Sequence, residues 1–210
     1  MEYTFNRRHR MDESKAGQNT TQAWDSINTQ LKETLDGILE GRYTEAELAS
    51  YIKQAIRDGE PLPRDPEMIF WEFDAPASMP ADARCDYVYL PTYLMVLSMA
   101  AAVNRYPALM DISGIRDTLS RGLNACARRG LSGPGFESMS HLLKNVRLFI
   151  RAGIRQFLKA HPETNPKFAE MLEGIITGIR TEYESGRHIF DFDQDFREEQ
   201  RETLEVCDAG

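Results

Sequence analysis

The part of this sequence best equipped for chemistry is a run of carboxylates set among aromatic rings. It comprises Trp71, Glu72, Phe73 and Asp74, followed by Asp82, Arg84, Asp86, Tyr87 and Tyr89. Carbohydrate-cleaving and sugar-binding sites use that combination, because an apolar wall holds one acid neutral as a proton donor while a second stays ionised. Glu72, Asp74 and Asp86 are therefore the candidate catalytic carboxylates. A helix starting near Asp86 places Asp86, Tyr89 and Tyr93 on one face at steps of three and four, so that Trp71, Arg84, Tyr89 and Tyr93 could line a pocket for a small polar ligand. The competing reading is structural: Trp71 and Phe73 anchor a proline-rich loop, and the acids solvate it. His141, near the start of a long helix, is a further candidate for ligand contact, or else a histidine that satisfies a helix end.

The second constellation is electrostatic. Between Asp111 and His161 stand nine basic residues and three acids, a net of +6. Arg147, Arg151, Arg155 and Lys159 follow one another at steps of four, which on a continuous helix makes one stripe of like charge. Such neighbours repel by tenths of a kcal/mol per pair, so something outside the helix is expected to neutralise them. The protein's own acids are the first candidate. Residues 182–210 carry ten acids and three arginines, a net of −7, and residues 58–86 carry eight acids and two arginines, a net of −6. An anionic partner or ligand held by Arg147 and Arg151, or plain screening by salt, are the alternatives. In the tail, Phe190, Asp191, Phe192, Asp193, Asp195 and Phe196 alternate; in an extended chain that pattern puts Phe190, Phe192 and Phe196 on one side and the aspartates on the other. Arg147, Arg151, Arg155, Phe190 and Phe192 are thus the candidate partner-binding residues, with the arm docking on its own body or on a second copy.

Other chemistries find little footing. Asp191, Asp193, Asp195, Glu199 and Glu202 share the spacing of an EF-hand calcium loop, but Phe196 stands where the sharp turn requires glycine. The four histidines and three cysteines are scattered without metal-ligand spacing, so no metal and no cofactor is expected. The turn Gly130–Gly135 lacks the lysine of a phosphate-binding loop, and Pro134 offers no N–H.

The elements that must position these residues are helical. Trp24, Ile27, Leu31, Leu35 and Ile38 form one stripe over 21–40. Thr44 and Glu47 make a capping box before a second stripe that Gly59 and Pro61 terminate. Residues 58–86 hold five of the ten prolines and read as an acidic loop, with room for a short helix over 65–73, that Met68–Trp71 pin to the body. The segment 88–106 is apolar all round and is the expected buried centre, with Pro91 in its first turn. Helices over 112–129, 137–160 and 166–184 follow, and no period-2 alternation precedes the tail. The prediction is an all-α fold of about three helical hairpins, six main helices in all, over residues 21–186. A loose N-terminal tail, 1–20, and an extended acidic arm, 187–210, complete the chain.

Length and composition bound the function. The 210 residues suffice for one domain with a sizeable core, and 41% hydrophobic with 28% charged is ordinary for a globular chain. The net charge of −8 argues against a nucleic-acid binder that relies on overall positive charge. The stretch Tyr87 to Val103 is uncharged but only 17 residues, short for a membrane span, and no apolar leader opens the chain. A cytoplasmic helical protein-interaction or self-associating module, more probe-able by its charge layout than by any motif, is the leading expectation. An enzyme or binding protein using Glu72, Asp74 and Asp86, and an anion-binding regulator using Arg147 and Arg151, are the alternatives.

Overall fold

A computed structural model describes residues 16–62, 65–71, 81–131, 136–186 and 194–210. Within them the chain is mostly helical, as the apolar periodicities require, with one small two-stranded sheet. Helix α1 spans Ala16–Leu39 and buries Leu31, Leu35 and Ile38; it begins five residues before the predicted start, inside the segment expected to be a tail. Helix α2, Glu45–Asp58, opens on the expected capping box. The Thr44 backbone N–H donates to Glu47 Oε2 at 2.9 Å, and Thr44 Oγ1 accepts from the Glu47 N–H. Leu48, Ile52 and Ala55 form its buried face.

The proline-rich segment is where the expected loop gives way to a hairpin. Strand β1, Glu60–Leu62, pairs antiparallel with β2, Asp65–Phe70, with Pro61 opposite Ile69. The proline is tolerated because each strand of a two-stranded sheet has a free edge, where a missing N–H costs no ladder bond. No short helix forms over 65–70. Consecutive residues Met68, Ile69 and Phe70 are all buried, so both faces of β2 are covered and its sequence lacks the alternation that marks a half-exposed strand. Ile69 joins the main core, whereas Met68 and Phe70 pack in a small cluster with Ala125.

Helix α3, Ala81–Arg105, is the central element; every residue from Pro91 to Val103 is buried. It packs against α1, β2, α4 and α6. Its start lies earlier than predicted, so Pro91 sits inside the helix rather than in its first turn. A short 3-10 turn, Pro107–Asp111, leads into α4, Ile115–Gly130. Gly122 lets α3 and α4 approach, since a Cβ there would stand 2.5 Å from Val96 Cγ2.

The predicted helix over 137–160 is two helices. Helix α5, Phe136–Arg151, stops before Ala152, and α6, Ile154–Ala160, restarts after Gly153 with φ +76°. Only glycine occupies that backbone region cheaply. Asn104 of α3 reinforces the break by donating to the Gly153 carbonyl at 2.8 Å. Helix α7, Pro166–Ser185, is capped by Asn165, whose Oδ1 accepts from the Phe168 N–H at 3.0 Å. The same amide donates to the Ser120 carbonyl at 2.9 Å and to Asn124 Oδ1 at 2.8 Å, tying the start of α7 to α4.

The largest correction concerns the C-terminal arm. Residues Gln194–Ala209 form a helix, α8, of 16 residues rather than an extended strand. The expected alternation runs to Phe196, but from Gln194 the chain is helical, and Gln200, Thr203, Leu204 and Cys207 recur at helical steps and are all buried. The all-α class holds; the arrangement has eight α-helices and a β-hairpin among the described residues rather than six helices in three hairpins.

Candidate functional site

Helix α8 lies against α5 and α7. Its buried face is small: Leu204 and Cys207 are the buried apolar groups, with Phe196 and Val206 partly covered. The polar Gln200 and Thr203 are buried with them, at 5% and 0% exposure. Thr203 Oγ1 donates back to the Glu199 carbonyl at 2.6 Å, which satisfies the hydroxyl inside the contact.

Around that face runs a set of charge contacts, and they show what meets the basic ridge. Arg147, whose side chain is only 13% exposed, uses Nη1 to donate to the Glu199 carbonyl at 3.0 Å and to Glu202 Oε2 at 3.2 Å. Thr203 Oγ1 lies 3.4 Å from the same nitrogen. Lys144 stands 4.0 Å from Glu199, and Ser140 Oγ donates to the other Glu199 oxygen at 2.8 Å. From α6, Arg155 makes a two-pronged pair with Glu173 of α7, at 2.7 and 3.0 Å, and donates to the Cys207 carbonyl at 3.1 Å. Arg180 of α7 pairs with Asp208, and the Arg197 guanidinium stacks 5.3 Å above the Tyr183 ring. Acids of the C-terminal segment therefore meet Lys144 and Arg147, whereas the carboxylate that meets Arg155, Glu173, lies in neither acidic flank.

The ridge is not one stripe. The break at Gly153 separates Arg155 and Lys159 from Arg147 and Arg151. Arg151 and Lys159 are exposed, and neither has an ionic or hydrogen-bonding partner among the described residues. From the acidic hairpin, Asp65 reaches Arg128 at 2.7 Å, on α4 rather than on the ridge.

Electrostatics follow from these contacts. The Arg180 guanidinium hydrogen-bonded to Asp208 holds that carboxyl below the usual carboxylate range, and Arg201 does the same for Glu198. Burial pushes both the Cys126 and the Cys207 thiols up, so neither is a ready nucleophile at neutral pH.

Past the end of α8 an open groove of about 610 Å³ lies between α6 and α7. Leu158, Ala169 and Leu172 supply its apolar lining, and Arg155, Lys159 and Glu173 its charged one.

The aromatic–carboxylate constellation is placed only in part. Trp71 is 3% exposed; its indole N–H donates to the Ala55 carbonyl at 2.8 Å, and its backbone N–H reaches Thr92 Oγ1 at 3.4 Å. Tyr93 is 6% exposed and packs against Phe149 of α5, with ring centroids 6.0 Å apart. Both rings are buried in the core. Glu72 and Asp74 lie outside the described residues, as do Phe190 and Phe192. Arg84, Asp86 and Tyr89 lie on α3, but their side chains are outside the description. His141 is an exposed residue of α5.

Of the residues that share the EF-hand spacing, Asp195, Glu199 and Glu202 lie on helix α8, and Asp191 and Asp193 lie outside the described residues. No group of metal-ligating side chains gathers among the described residues, and no described helix is long and apolar enough to cross a membrane. Sequence reasoning missed Ser140, Glu173, Gln200 and Thr203 as contact residues. The available signal was the spacing of Phe196, Gln200, Thr203, Leu204 and Cys207 at three and four residues, which the louder Phe–Asp alternation just before it concealed. Compared with family models, curated proteins and solved structures, this chain matches none of them.

Proposed function

We propose that this chain is a cytoplasmic helical interaction module whose working surface is the face of α5 and α7 that receives an acidic amphipathic helix. Its own α8 is the occupant in a single chain. The observation that supports this reading is the seating of α8: Arg147, Lys144 and Arg180 meet its carboxylates while only Leu204 and Cys207 enter as buried apolar groups. Association of that kind takes its orientation from charge and only part of its strength from burial. An element held by few buried contacts belongs to the less stable end of a structure, where displacement is thermally accessible.

The test uses a fluorescent peptide of residues 194–210 titrated with the full chain. A second titration uses the full chain carrying Glu199→Lys and Glu202→Lys, whose own α8 repels the ridge. The expected result is tighter, salt-sensitive peptide binding to the charge-reversed chain than to the unaltered one. Absence of peptide binding to both chains at concentrations of about 1 mM overturns the proposal.

A further inference from the structure

We draw no further inference here: the strongest candidate, the open groove between α6 and α7 where Arg155 and the exposed Lys159 stand beside Leu158 and Leu172, carries nothing, because Arg155 is already taken up by Glu173 and the Cys207 carbonyl, both leucines are themselves buried, and nothing in the structure shows what would cover the groove.

Discussion

Replacing Arg147 with methionine isolates what one guanidinium does for α8. Methionine keeps the apolar stem, so the change removes the charge and its hydrogen bonds with little loss of packing. Nη1 carries two hydrogens, and three acceptors lie around it: the Glu199 carbonyl at 3.0 Å, Glu202 Oε2 at 3.2 Å and Thr203 Oγ1 at 3.4 Å. Two charge-assisted bonds are therefore lost, each worth roughly 1.5–3 kcal/mol before desolvation. The half-exposed Glu202 contributes at the low end, because its pair with Arg147 is screened by water. Relief of the guanidinium's own burial offsets part of the rest, leaving a net loss of about 1–2 kcal/mol. For a chain of this length that lowers the melting temperature by about 2–8 °C. Arg151→Met, four residues on, touches an exposed side chain with no described partner and should cost no more than about 0.5 kcal/mol. Thermal unfolding of both variants, with hydrogen exchange read across residues 194–209, makes the comparison. Equal effects of the two substitutions, or undiminished protection of α8 amides in Arg147→Met, would refute the assignment of α8 to this face.

Three further outcomes follow from the structure. Gly153→Ala should destabilise by about 1–3 kcal/mol in denaturant titration, because the residue sits at φ +76° and a Cβ there would stand 2.7 Å from Asn104 Nδ2; an unchanged midpoint would mean that α5 and α6 run on as one helix. Trp71→Ala should cost about 3–5 kcal/mol, the loss expected of a large buried ring, and wild-type stability with the ring removed would contradict its burial. The Asp208 carboxyl is depressed in the folded chain by Arg180, so its contribution is present above the unfolded aspartate pKa of about 3.9 and is lost as pH falls through the lower folded value. Melting temperatures measured from pH 7 to pH 2 should therefore converge for the unaltered chain and Asp208→Asn at the acid end, and a gap that persists at pH 2 would contradict the linkage.

Much of the architecture is legible along the chain. Helix stripes, the Thr44–Glu47 capping box and the centre at 88–106 with apolar residues on every side are local patterns, and local patterns suffice where burial repeats with the helix period. The nature of the neutralising charge was legible in part: the −7 flank supplies Glu199 and Glu202 to Lys144 and Arg147, whereas Arg155 meets Glu173, which lies outside both acidic flanks.

Which acid meets which base was not written locally. Arg147 and Arg151 are the same residue type one helical turn apart, yet one is clasped by α8 and the other faces water, because only the docking of α8 distinguishes their directions. The helical stripe from Arg147 to Lys159 read as continuous until Asn104, nearly fifty residues away, met the carbonyl of Gly153 at the break. Trp71 beside two carboxylates resembled a ligand platform, and its enclosure by α2, where Ala55 accepts its N–H, is a long-range event. Strand β2 escaped detection because both its faces are covered, which erases the alternation a sequence would display. Residue order by itself determined most of the helices and the charge blocks, since both are properties of neighbours; helix α8, the break at Gly153, the partner of each charge and the fate of each ring were decided only when distant segments packed.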